Sequence, residues 1–225
     1  GIKSSNVTRG MRIFASQNIV LENESDYEKM LEGNVVIPSR EKRKQAILDS
    51  VHNNCEQDGD RVVVNDYLLE EVVNLVEYPY AIKGEFSADY LSLPEDIITI
   101  TMETHQRYFP VLDENGKLTN KFVLVRNANE YSEIVKKGNE KVIEPRLADA
   151  KFFFDEDLKI KFEENTLKLK EVVFQKDMGT IYEKVERSLE IAKYIINELE
   201  LQTKEKSILR TIELAKADLV TNVIG

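Results

Sequence analysis

Residues 104–118, THQRYFPVLDENGKL, set one of the chain's two histidines beside an amide, a guanidinium and a phenol: His105, Gln106, Arg107 and Tyr108. An imidazole in that company could serve three purposes. As a general base, His105 needs a nucleophile or carboxylate within hydrogen-bond reach, and the sequence places none beside it. As an RNA contact, it would stack or hydrogen-bond together with Arg107 and Tyr108. As a structural group, it would close a helix C-terminus, where the dipole favours a cation. The structural reading is preferred, the RNA reading stays open, and no catalytic residue is assigned.

A second candidate is a phosphate-facing surface. Residues 107–151 carry nine basic side chains against seven acidic ones, a small local excess in an acidic chain. Lys121, Arg126, Arg146 and Lys151 join His105, Arg107 and Tyr108 as candidate RNA-facing residues. The plainer alternative is a solvated helix face laced with i,i+4 pairs, and it is the stronger one. In PRLADAKFFFDED, Arg146 and Asp149 are three apart and can pair on one helical face. Three consecutive phenylalanines cannot share a face, so that run reads as a helix closing a domain. Its acidic end does not supply the converging oxygens that magnesium or calcium needs, and no metal site is expected. A Gly-rich phosphate loop is absent as well.

The 225 residues carry a formal charge of −10. That argues against a free-standing nucleic-acid binder and against a DNA partner. A hydrophobic fraction of 42% is enough for a sizeable core. The lone Cys55 cannot form an internal disulfide, which suits a reducing, cytoplasmic setting. No apolar run approaches the roughly 18 residues of a membrane helix. The opening GIKSSNVTRG is neither a signal peptide nor a usual start, and reads as a position inside a longer chain.

The hydrophobic pattern sets out the elements that must position these residues. RIFA and NVVIPS read as strands, with a helical stretch ENESDYEKMLEG between them. Ser39 caps a helix to about Cys55, with Ile47, Val51 and Cys55 on one stripe. A short strand RVVV precedes a helix from Asn65 or Asp66, which must end before Pro79. YAIKGEF is a strand. Ser92 and Glu95 fit a capping box, and Ile98, Met102 and His105 fall on one face of the helix that follows. RYFPVLD and KFVLV form a hairpin about Asn115–Gly116, the return strand being buried on both faces. A long helix from about residue 130 to 158 is interrupted at Pro145. After Lys161 strand signals vanish. A second capping box, Thr180 with Glu183, opens a helix, and another begins near Thr203. The fold class is therefore α+β, with a mixed or mainly antiparallel sheet under covering helices, then an α-helical segment.

METHQRYFPVLDENGKL, KFVLVRNA, GNEKVIEPRLADAKFFFDED and VVFQKDMGTIYEKVERS together resemble one family, the β chain of the bacterial-type heterotetrameric glycyl-tRNA synthetase. LLEEVVNLVEYP and KADLVTNVIG fit it too. The resemblance covers nearly the whole chain and is weakest over the first 60 residues. One departure is Gly10-Met11-Arg12, where the family often reads Gly-His-Arg.

The resemblance implies an interior piece of a β chain about three times longer. Residues 1–160 would form a module similar to the editing-type module of the phenylalanyl-tRNA synthetase β chain. Residues 161–178 would be a linker, and residues 179–225 the start of a helical domain similar to His-Asp phosphohydrolases. The implied partners are the α chain and tRNA(Gly), in a heterotetramer of two α and two β chains, with no membrane partner. ATP and Mg2+ would serve the whole enzyme on the α chain, leaving this segment without an aminoacylation site. The seven candidate RNA-facing residues would then face tRNA. Two rival readings are a hydrolytic editing or phosphohydrolase-like module, which the absence of an adjacent His-Asp pair opposes, and a purely structural connector.

Overall fold

A computed structural model describes residues 3–15, 17–56, 59–128 and 130–224. The chain divides into two compact units, Gly1–Ala148 and Asp149–Gly225. The division falls inside a helix and ahead of residues 161–178, which were expected to form a linker.

The first unit opens with strands β1 (Val7–Arg9) and β2 (Asn18–Val20), paired antiparallel. The expected strand at RIFA is instead a turn, because Phe14 and Ala15 both donate their N–H groups back to the Met11 carbonyl (3.1 and 2.7 Å) and leave none for a ladder. Helix α1 (Tyr27–Glu32) lies where the helical pattern placed it. NVVIPS is not a strand either. Val35 takes a left-handed φ of 63°, Val36 donates to Leu31 at the end of α1, and Ile37 donates to Glu77.

Helix α2 (Arg40–Cys55) is capped by Ser39, whose hydroxyl accepts from the Lys42 N–H. Its stripe of Ile47, Val51 and Cys55 is buried. After the two-residue strand β3 (Arg61–Val62), Asn65 caps helix α3 (Asp66–Leu75) by accepting from Leu68 N–H at 2.7 Å. Strand β4 (Pro79–Glu85) leads to helix α4 (Glu95–Ile100). The expected capping box is not used: Pro94 occupies the N-cap, and the Ser92 hydroxyl donates backward to Asp89 O at 2.7 Å.

Strands β5 (Phe109–Leu112) and β6 (Leu118–Asn127) form the expected hairpin. Gly116 supplies a φ of 77°, and the Asp113 carboxylate accepts from Asn115 and Lys117 N–H groups. Helix α5 (Glu133–Asp157) follows. It runs through Pro145 without the expected interruption. Proline costs a helix interior about 3 kcal/mol, and Ile143 and Leu147, fully buried on either side of it, hold the helix in place.

The main sheet is antiparallel, in the order β3-β5-β6-β4. One face packs Ala81, Phe109, Val111 and Val123 against the α2 stripe and against Leu68, Leu69, Val72 and Val73 of α3. Each of the larger side chains, Val, Leu, Ile or Phe, stabilises the unit by about 1.5–3 kcal/mol when fully buried relative to exposure. Side chains alternate across a strand, so Phe122 and Leu124 of β6 point to the other face, and they are buried there as well. Gly84 pairs with Phe122 across the ladder, and a Cβ at position 84 would come within 2.5 Å of the ring.

The second unit contains a short helix α6 (Asn165–Lys168) and two small paired strands, β7 (Val173–Gln175) and β8 (Gly179–Thr180). These strands were not expected. At two and three residues they are too short for an alternating pattern, and their turn relies on left-handed backbone at Asp177 and Gly179. Helix α7 (Ile181–Glu198) begins at a complete capping box of Thr180 and Glu183. Helix α8 (Glu205–Leu214) follows and has no fully buried residue. On α7 only Ala192 and Ile196 are buried, whereas Ile191, Tyr194 and Ile195 are exposed.

Candidate nucleic-acid interface

Helix α4 does not end at Ile100. It continues as a π-helical turn, Thr101–Gln106, closed by Arg107 in the left-handed region (φ 58°, ψ 36°). The wider turn changes which side chains share a face. Ile98 and Met102 stay buried, but His105 is rotated into solvent, off the apolar stripe that an α-helical period had assigned it. Its imidazole has no hydrogen-bond or ion-pair partner among the described residues, so the expected helix-closing role is not met.

Arg107 closes the helix instead. Its N–H donates to Glu103 O at 3.2 Å, and its guanidinium donates to the Thr104 carbonyl. Left-handed backbone costs a non-glycine residue about 1–2 kcal/mol. An ion pair between Arg107 Nε and Glu71 Oε2, at 2.7 Å, opposes that cost and ties the helix end to α3.

Tyr108 is buried. Its ring stacks on Phe122 at 4.5 Å between centroids, 15° from parallel. Its hydroxyl donates to Asn139 Oδ1 at 2.6 Å, and Asn139 Nδ2 in turn donates to Val135 O. Burial pushes the phenol up to about 12. Tyr108 is thus a neutral cross-tie between the sheet and α5.

Strand β6 outruns β5. Residues 124–127 pair with β4 on one side, whereas β5 begins only opposite Val123. That unpaired edge opens onto a cleft of about 270 Å³. Leu75 and Val76 form one wall, Leu124, Val125 and Arg126 the strand edge, and Val135 and Asn139 the side toward α5. Gln106, Arg107 and Tyr108 complete it. Arg126 is half-buried and, like Gln106, has no side-chain partner among the described residues. Arg107, Tyr108 and Arg126 are therefore brought together as lining of one cleft.

The other candidates lie elsewhere. Lys121 sits toward the opposite end of β6, where it and Lys83 both reach the Asp60 carboxylate, at 2.9 and 2.8 Å. Lys83 Nζ also donates to Cys55 O at the C-terminus of α2. Burial pushes the Asp60 carboxyl up, but the hydrogen bonds from Lys83 and Lys121 outweigh it and hold Asp60 below its ordinary value. Arg146 is exposed on α5 and has no ion-pair partner among the described residues. Lys151 pairs with Asp155 at 3.1 Å, the i,i+4 arrangement of an ordinary solvated helix.

Sequence reasoning missed Gln106 as a cleft residue and Glu71 as the partner of Arg107. Gln106 was visible beside His105, but its orientation depends on the π turn. Glu71 is distant in sequence and carried no signal. Among the described residues, no group of three or more His, Cys, Asp or Glu could hold a metal ion. No described helix is long and apolar enough to cross a membrane.

The antiparallel α+β unit carries this cleft at a helix–strand junction, and sequence comparison shows the class of the chain: aminoacyl-tRNA synthetase components. The profile of the family described as "Glycyl-tRNA synthetase beta subunit" matches residues 1–225. Proteins named glycine–tRNA ligase beta subunit are similar over all of this chain. The one from Clostridioides difficile (strain 630) is 45% identical over 226 residues, covering 100% of this chain and 33% of that protein. Those from Dictyoglomus turgidum and Listeria monocytogenes serotype 4a (strain HCC23) are 42% and 41% identical over 227 residues, with the same coverage. The chain belongs to the glycyl-tRNA synthetase β-subunit family. It spans about a third of the length of the curated relatives it matches.

Proposed function

We propose that this chain acts within the β subunit of a glycyl-tRNA synthetase, contributing to tRNA(Gly) binding and subunit assembly for ATP-dependent glycylation. The observation that carries this reading is the match of the whole chain to the β-subunit family. The cleft with its unpartnered Arg126 supports an RNA-facing role, since an uncommitted guanidinium is free to meet a phosphate. The exposed, unpaired Arg146 is a second candidate contact. In this reading the chain works in the cytoplasm with an α chain, as two α and two β chains. The residues present do not suit a metal–nucleotide group, having neither a metal-holding cluster among the described residues nor a Gly-rich phosphate loop. In this reading ATP, magnesium and glycine are handled by the α chain.

The test is tRNA binding by the full-length β subunit, with and without its α partner, across a range of salt. Affinity that falls steeply with salt supports the reading. An absence of tRNA binding, with assembly intact, would leave only the connector role. A β subunit that supported ATP–pyrophosphate exchange with glycine in the absence of α chain would overturn the division of labour.

A further inference from the structure

The cleft is bounded by the end of α3, the free edge of β6 and the early turns of α5. We infer that it receives a single unstacked nucleotide of the bound tRNA, its base lying in the cleft and an adjoining phosphate meeting Arg126. This rests on the tRNA-binding reading and goes beyond it by naming the ligand unit. Four observations on unit Gly1–Ala148 point the same way.

The first is size. At about 270 Å³ the cleft lies below the roughly 300–1,000 Å³ of sites that enclose drug-sized ligands. A single base fits such a space better than a larger cofactor or a duplex. The second is lining. Leu75 and Val125 give an apolar surface for the face of a base, and Leu75 is largely exposed although it has no polar atoms to hydrate. Bases that leave a helix need such apolar or planar support to replace stacking. The third is polar groups without partners. Gln106 has an amide donor and acceptor free to read a base edge, and Arg126 has a free guanidinium. The neighbouring polar groups are already committed: Asn139 to Tyr108 and Val135, and Arg107 to Glu71. The fourth is the strand edge. Residues 124–127 face the cleft side with no partner strand, so backbone donors and acceptors are available there.

The wall that would hold the base is also stiff. The Tyr108 phenol is fixed by Phe122 and Asn139, and the π turn is fixed by Arg107. A pre-formed site of this kind keeps the ordering cost of binding low.

The experiment uses the full-length β subunit assembled with its α partner. Arg126→Ala and Leu75→Trp are compared with the parent protein in tRNA affinity, in its salt dependence, and in chemical probing of the base edges of bound tRNA. Arg126→Ala should weaken binding by about five- to tenfold and lower the salt slope by about one. Leu75→Trp, at an exposed position that tolerates a larger side chain, should fill the cleft and leave the slope unchanged. In both variants the same one nucleotide should lose its protection, with the rest of the footprint intact. If tRNA binds as before and the footprint is unchanged in both variants, the cleft is not the site. A lowered slope with no loss of base protection would make Arg126 a backbone contact only and overturn the pocket. If the parent protein binds no tRNA at all, the underlying function fails, and this inference with it.

Discussion

Tyr108 and Asn139 are joined by a 2.6 Å hydrogen bond from a buried phenol to a side-chain amide oxygen. That bond ties the start of β5 to the early turns of α5, and it orients the amide so that its nitrogen caps back onto Val135. The cleft wall beside Arg126 therefore depends on a bond between two of its own lining residues.

Removing that hydroxyl should show its weight. Tyr108→Phe keeps the ring against Phe122 but strands the Asn139 oxygen. The Asn139 oxygen is half-buried and faces the cleft, so the loss should be about 0.5–1.5 kcal/mol, the net worth of an ordinary hydrogen bond. Urea unfolding should report a loss in that range, and a variant as stable as the parent would mean that water replaces the phenol at no cost.

Arg107 offers a test of backbone strain. Glycine adopts left-handed φ freely, whereas alanine does not, and both lose the Glu71 ion pair equally. Arg107→Gly should therefore be more stable than Arg107→Ala by about 1 kcal/mol. The reverse order of melting temperatures would show that the left-handed geometry is not held in solution.

Asp60 makes a prediction about pH. Its side chain is 6% exposed, and its folded carboxyl lies below the ordinary value of 3.8 because Lys83 and Lys121 outweigh the burial. A depressed carboxyl contributes stability that is present above its unfolded value, about 3.9, and lost as pH falls through the folded value. Asp60→Asn should cost on the order of 2–3 kcal/mol at neutral pH, less than a wholly buried stranded charge, because both ammoniums reach some solvent. The gap between variant and parent should narrow below about pH 4. A gap that stays constant down to pH 2 would remove the carboxylate from the account.

His105 should be dispensable for stability. It is exposed and has no partner among the described residues, so His105→Ala should change unfolding free energy by no more than about 0.5 kcal/mol. Glycylation by the assembled enzyme should persist. A collapse of turnover with the fold intact would restore the catalytic reading.

Hydrogen exchange should separate the protected sheet from the weakly covered helices. Amides of α8, a helix with no fully buried residue, should exchange well before those of residues 122–125 in β6. Equal protection in both regions would show that the helical pair is covered in solution.

Much of the scaffold was legible because local chemistry decides it. Ser39 and Thr180 with Glu183 cap the helices they were expected to cap, the next helix starts at Asp66 as expected, and Asn115–Gly116 makes its hairpin. These signals act over three or four residues and need no tertiary partner. RIFA and NVVIPS misled because their apolar residues serve a turn and a loop whose backbone bonds go to Met11, Leu31 and Glu77. The cleft was half legible. Arg107, Tyr108 and Arg126 were marked as candidates, but the π turn was not, and it is the π turn that turns His105 outward. Nothing local announces an extra residue in a helical turn when buried Met102 and the distant Glu71 hold it in place.

Gly84 and Phe122 carry a consequence for how this chain can drift through mutation. The ring occupies the space that any side chain at position 84 would need, so the two positions cannot vary independently. A lineage that enlarges residue 84 must first shrink residue 122. A smaller residue there would remove the surface on which Tyr108 stacks and loosen the wall beside Arg126. Substitution at a glycine on the edge strand would thus register as a change at a cleft it does not line, and the two sites would co-vary across descendants of this chain.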